Sequence, residues 1–362
     1  MRRVICFVAC MVLLALPVSA ADGDLEERQR EQLGVDRLED EAQGFLSGTD
    51  ISLDGDLEEN LKRLLDTGTA QLHGVLRKAL RSGALMLIVV LLCGMGQSLP
   101  VATKNMVVPL TGTLAIAAIT VGDVNSLLGM GREAIGDISD FANVLLPVVA
   151  AVTAATGAIT GAAARQMAAM LFSGLLTNLI SRLLIPLVYG YVAAQVAWGA
   201  VGNDGLKRVA KFLKWLTVTV LSVVLLAFVG YLTLSGVVAG AADSAAIKAT
   251  KFAISGAVPV VGGIISDAAE TVLASAGILR GTVGVFGMLV VLAICLTPFL
   301  HLSIHYLIYK AVAAVSSTMG EGRICGLLDG IGGAFGILLG MTGACALLLL
   351  ITLVSSVMVV TI

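Results

Sequence analysis

Hydrophobic positions along this chain follow two regimes, single apolar residues at helical spacing among charges up to Ser82 and long merged apolar runs from Gly83 onward. Ahead of both lies a thirteen-residue apolar run, 4–16, preceded by Arg2 and Arg3 and followed by Pro17 and the small-residue stretch Val18-Ser19-Ala20. That run is short for a membrane span and has the layout of a secretory leader cut after Ala20, which places the following residues outside the cytoplasm. Next, Leu57, Leu61, Leu64 and Leu65, then Leu72, Val75, Leu76 and Leu80, mark one face of a helix within an otherwise polar segment, residues 21–82. Its first part is charged and poor in aromatics, a composition that is partly disordered when alone.

Residues 83–362 predict membrane elements. Apolar stretches 85–99 and 106–121 form a hairpin turning at Lys104. A loop is expected over 122–140, where Asp123, Glu133, Asp137 and Asp140 face Arg132 alone. A third span, 141–164, is rich in small residues, with Gly157 and Gly161 in GxxxG spacing, and brings Arg165 to the cytoplasmic side. Residues 168–200 exceed one simple span and hold Arg182 followed by Pro186, so a broken or re-entrant pair is expected there. In 204–215, Lys207, Arg208, Lys211 and Lys214 oppose Leu206, Val209, Ala210 and Leu213. That pattern predicts a basic amphipathic helix in the cytoplasmic headgroup layer, or a docking face for a cytosolic partner. An outward span follows over 216–240. The fold class expected is therefore an all-α polytopic integral membrane protein with about seven to eight membrane elements, some broken or re-entrant.

Residues 252–287 stand apart. They are apolar enough for membrane depth, yet contain Pro259, Gly262 and Gly263, and the acids Asp267 and Glu270, three apart and so on one face of a helix. Backbone broken at that depth must be buried in protein or line a cavity, which makes this stretch the candidate central or pore segment, with Arg182 as a further candidate. The plainer reading is a loop with solvated acids. Landmarks recur at an offset of 112 residues: Pro147 with Pro259, Pro186 with Pro298, and Lys211 with Arg323. A parallel repeat with halves 141–240 and 252–362 would explain them.

Composition supports the membrane assignment, since 57% of residues are hydrophobic and 13% charged, against about 25% charged in soluble domains. Residues 22–66 hold fifteen acids against five bases, while ten acids and sixteen bases follow from Thr67 to the end. Acid outside and base inside agrees with the leader; Arg77, Lys78 and Arg81, expected on the outer side, do not. Six cysteines occur without a CxxC pair, and Cys93, Cys295 and Cys345 lie in apolar runs as small hydrophobes.

No catalytic residue, cofactor or metal site is assigned. His301 and His305 have a metal-compatible spacing but no third ligand or HExxH glutamate. Gly281, Gly284 and Gly287, and Gly330, Gly332, Gly333, Gly336 and Gly340, lack a Walker lysine and read as helix contact faces. No GxSxG elbow is present. An intramembrane enzyme is the weakest reading, and a secondary transporter moving a small solute or ion past Asp267 and Glu270 is the alternative to a complex component.

The blocks GAVPVVGGIISDAAETVLASAGILRGTVGVFG, LTPFLHLSIHYLIYKAVAAV and DFANVLLPVVAAVTAATGAITGAA resemble the stage III sporulation protein AE family of endospore-forming bacteria. The likeness runs from Leu57 to the C-terminus and is strongest over 255–314. The chain departs from it at Ser316-Ser317-Thr318-Met319, where a proline-containing turn is expected. The resemblance implies a mother-cell protein in the outer of the two membranes around the forespore. It implies partners from the same operon, a secretion-type ATPase and ring-forming proteins, in a channel that sustains late forespore gene expression. Membrane lipids are expected neighbours, nucleic acid is not, and a homo-oligomer remains open.

Overall fold

The computed structural model describes residues 22–46, 51–53, 55, 57–97, 107–156, 159–257, 262–318 and 322–358, with backbone alone for 22–26, 97, 159–165, 232–257, 262–276, 355 and 357–358. The leader lies outside the described residues. Among them the structure is all-α: α1 (Asp22–Gln32), α2 (Val35–Gln43), α3 (Leu57–Gln97), α4 (Val107–Ala155), α5 (Ile159–Leu179), a π turn (Ile180–Leu184), α6 (Ile185–Val201), α7 (Asp204–Ala257), α8 (Gly262–Ser317) and α9 (Gly322–Met358). Among the described residues six helices are long and apolar enough to cross a membrane.

The expected loop over 122–140 is helix. α4 runs unbroken for 49 residues because Val124, Leu127, Leu128, Ile135, Ile138, Phe141, Ala142 and Leu145 recur at three- and four-residue steps and are all buried. Glu133, Asp137 and Asp140 fall at i, i+4 and i+7 on the other side. Three of the acids that suggested a loop are one face of an amphipathic helix, while the fourth, Asp123, is buried on the other. Pro147 is accommodated inside the same helix, so 141–164 is no separate span and α4 ends at Ala155.

The 168–200 stretch does not fold back on itself. It forms one helical path, Gln166–Val201, locally widened at the π turn around Arg182. Pro186 has no N–H to offer the Arg182 carbonyl four residues earlier, and a π turn placed just before the proline absorbs that lost bond. Its start is pinned beside the last turns of α9, where the Gln166 side-chain amide donates to Ser356 Oγ at 2.9 Å. Its far end meets the first turns of α9: Gly199 lies against Leu327, and Gly202 against Arg323. Arg165, expected on the side of Arg323, therefore sits at the opposite end.

The turn after α6 is two residues long and locally encoded. Gly202 adopts φ 73° and its N–H bonds the Trp198 carbonyl at 2.7 Å, a left-handed C-cap. Asn203 then accepts the Gly205 N–H at 2.8 Å and caps α7. The Arg323 guanidinium lies directly over Gly202, in the space a Cβ would take. Gly202→Ala should cost about 1–2 kcal/mol from the backbone alone and also displace Arg323. A melting curve in detergent, compared with Gly340→Ala, which meets no neighbour within 4 Å, checks it; equal melting points would refute the close contact.

α9 is the hub. It packs against α4, α5, α6, α7 and α8, and 61% of its most apolar window is buried, against 11% for α7. At 1.5 Å per residue the 49 residues of α4 and 56 of α8 reach ~74 and ~84 Å, well beyond a ~30 Å hydrocarbon core. α1 and α2 are not detached: α2 packs on α4 with Phe45 edge-on to Phe141 at 5.9 Å, and α1 on α8. α3 passes from its polar to its apolar half without a break at residue 82.

The apolar stretches are staggered. Gly83 at the start of α3's apolar half lies on Ile308 and Val312 of α8, level with Lys310. Arg77, Lys78 and Arg81, within two turns of Gly83, thus sit toward the basic end of α8 rather than at the far end. Pro186 and Pro298 both lie in helices running toward the basic end, and each helix is followed by one that opens on basic residues, α7 and α9.

Candidate functional site

The surface of α9 is built from glycines that admit large side chains from both sides. Toward α6, Gly326 faces the Trp198 ring, Gly330 the Gln195 amide and Gly333 the Tyr191 hydroxyl. These partners recur every three or four residues on α6, and the helices interlock along that row. Toward α8, Gly332 faces Tyr309, Gly336 the Tyr306 ring and Gly343 the Phe299 ring. Gly330, Gly332, Gly333 and Gly336 are contact faces as expected, whereas Gly281 and Gly340 meet no neighbour within 4 Å.

Behind this seam is a buried polar pair. The Tyr309 hydroxyl donates to Asp123 Oδ2 at 2.9 Å, and both residues are buried, at 0% and 8% exposure. Tyr309 also meets Phe335 edge-on at 5.0 Å. Arg280 is buried on α8 as well. Asp123 was read as one of the acids of a loop, and its pairing with Tyr309 was not visible because the two lie 186 positions apart. The only sign was an acid breaking the apolar face of α4.

A third feature is a polar pocket of about 330 Å³ lined by Thr67 and Gln71 of α3, Glu133 and Asp137 of α4, and Thr297 and Pro298 of α8. Thr297 Oγ1 donates to Gln71 Oε1 at 3.0 Å across it. His301 and His305 stack one turn on, at 6.4 Å between rings, and His305 Nδ1 is 2.8 Å from the His301 carbonyl.

At the basic end the four expected residues share the first turns of α7. That stretch is the start of one long helix, Asp204–Ala257. Lys207 Nζ sits 4.6 Å from the centre of the Trp198 ring, a cation–π contact, while Arg208, Lys211 and Lys214 are exposed. Lys310 of α8 pairs with Asp329 of α9 at 2.5 Å. Where a proline turn was expected, the hydroxyls of Ser316, Ser317 and Thr318 bond back to carbonyls of Val312, Ala314 and Val315 and finish α8.

Within the central segment, 252–257 and 262–276 are described in backbone only. Gly262 and Gly263 open α8, and Asp267 and Glu270 fall in its first three turns. Pro259 lies outside the described residues. Arg182 is exposed in the π turn, near the middle of the 36-residue path Gln166–Val201, among exposed Leu171, Leu175 and Leu183.

A family model described as stage III sporulation protein AE matches residues 49–361, which include all six long apolar helices. The chain belongs to the stage III sporulation protein AE family. It is similar to the stage III sporulation protein AE of Bacillus subtilis (strain 168), 23% identical over 216 residues, which are 60% of this chain and 54% of that protein. The chain thus matches about half the length of that relative. No solved structure matches it. Membership of a sporulation family and six long apolar helices describe a multi-pass membrane protein of sporulation.

Proposed function

We propose that this chain is a non-enzymatic membrane component of a secretion-like channel complex joining mother cell to forespore, required for late forespore gene expression. It sits in the mother-cell membrane around the forespore, with α1 and α2 between the two membranes and the basic end facing the mother-cell cytosol. Its partners are the secretion-type ATPase and ring-forming proteins encoded with it.

Beyond family membership, the observation that supports a complex is Arg182. A guanidinium at the middle of an apolar path is costly when it faces lipid, and such residues ordinarily face protein or water. Here it points outward beside Leu175 and Leu183. The neighbouring α7 also leaves most of its apolar window uncovered. A protein partner carrying an acid would answer both.

Arg182→Glu should leave expression and detergent melting close to wild type, as for other exposed positions. Recovery of the operon's other products with the tagged protein should fall at least tenfold, the factor given by ~1.4 kcal/mol of lost contact. Unchanged recovery would sink the interface. If the purified chain alone moved a small solute into liposomes, the complex reading would give way to a transporter.

A further inference from the structure

Between α7, α8 and α9 runs an open groove of about 510 Å³, at the basic end but on the outside of the bundle. Its two ends differ in chemistry. At the basic end stand Lys214 of α7 and Tyr306 and Lys310 of α8. One and two turns farther along α7 the wall becomes Val218 and Leu221, and along α9 it becomes Ile337. α7 and α9 run in the same direction away from the basic end, so polarity falls along the groove as it does from headgroup to acyl chain.

The floor is glycine. Gly333, Gly336 and Gly340 of α9 line it, and at Gly340 no neighbour lies within 4 Å of where a side chain would start. Lys214 Nζ reaches across that floor, 3.4 Å from where a Gly333 Cβ would lie. Among the described residues Lys214 has no ion pair or hydrogen bond. Lys310 gives one donor to Asp329 and lies 5.9 Å from the Tyr306 ring, which leaves donors of its ammonium group available. Two cations against one carboxylate leave a positive groove mouth. Lys207, Arg208, Lys211 and Arg323 share this end and raise the potential further. The groove opens outward, where Val218 and Gly340 are exposed, and Trp215, 60% exposed, stands beside the cationic end as aromatic residues do at a membrane interface.

We propose that this groove binds one anionic phospholipid, its phosphate between Lys214 and Lys310 and one acyl chain laid along Val218, Leu221 and Ile337 over the glycine floor. Basic pockets between membrane helices that continue into an apolar cleft have the chemistry for such a headgroup and chain together. A soluble phosphate would use the mouth and leave the apolar wall empty. A zwitterionic lipid would use the wall and gain little from the lysines.

The test uses the full chain, purified in a neutral detergent and delipidated, with thermal melting followed on addition of phosphatidylglycerol, phosphatidylcholine of the same chain length, or inorganic phosphate. Phosphatidylglycerol should raise the midpoint by about 4 °C at saturation, and the other two by much less. Lys214→Gln with Lys310→Gln should keep the lipid-free midpoint and abolish the difference between the two lipids. Gly340→Leu, at a position with no neighbour within 4 Å, should fill the groove without disturbing the fold and also abolish the rise. Equal shifts from both lipids would overturn the site, as would a full shift from phosphate alone or an undiminished shift in either variant. If the lysine variant melts lower without lipid, Gly340→Leu decides alone.

Discussion

Gly326→Leu should be the most damaging single substitution in the membrane core. A Cβ at that position would stand 2.5 Å from two atoms of the Trp198 ring, and Lys207 Nζ lies over the same ring. The tryptophan is 7% exposed and has nowhere to swing, so α6 and α9 must separate. Overpacking ordinarily costs ~1–3 kcal/mol, and a rigid indole facing a helix backbone belongs at or above the top of that range. The melting midpoint in detergent should fall by several degrees, whereas Gly340→Leu in delipidated protein should leave it unchanged. Trp198→Ala placed in the Gly326→Leu background should restore part of the loss, because the leucine then fills the space the indole left. Wild-type melting of Gly326→Leu would show that α6 and α9 do not interlock as described.

Tyr309→Phe is expected to be next. It removes one oxygen from a fully packed site and leaves Asp123 buried without the donor that the structure gives it. Stranding a buried acceptor costs about 1–3 kcal/mol, more when the group is charged. Replacing both partners by apolar groups should instead be nearly neutral. Tyr309→Phe alone should therefore destabilise more than Tyr309→Phe combined with Asp123→Leu. A double-mutant cycle on unfolding free energies measures the coupling directly. Strictly additive losses would mean that the hydroxyl and the carboxylate do not depend on each other.

Particular stretches show what was legible in sequence. The hairpin of α3 and α4 and the basic opening of α7 were visible, since apolar runs and opposed faces need only local spacing. The proline after Arg182 correctly marked a local disturbance. Its size was misjudged, because a π turn satisfies the backbone without reversing the chain. The loop reading of 122–140 failed for a related reason. Charges spaced at i, i+4 and i+7 resemble a loop when counted and a helix face when their spacing is followed. Arg165 was misplaced as a consequence, since each wrongly assigned span inverts every later end.

The site was less legible than the fold. Glycines on α9 were identifiable as a contact face, but not that Trp198, Gln195 and Tyr191 fill one side and Tyr306, Tyr309 and Phe299 the other. Asp123 and Tyr309, and Lys214 and Lys310, meet only because helices far apart in the chain are brought side by side.

The all-α membrane class and the basic opening of α7 follow from the sequence alone, because composition and periodicity act over a few residues, and the family was legible in the sequence blocks that resemble it. Which helix became the hub, which charges were buried, and which were left outward at Arg182 or gathered at the groove of Lys214 were decided by packing. Pairing between distant helices depends on shape at every contact at once, and no local pattern carries that information.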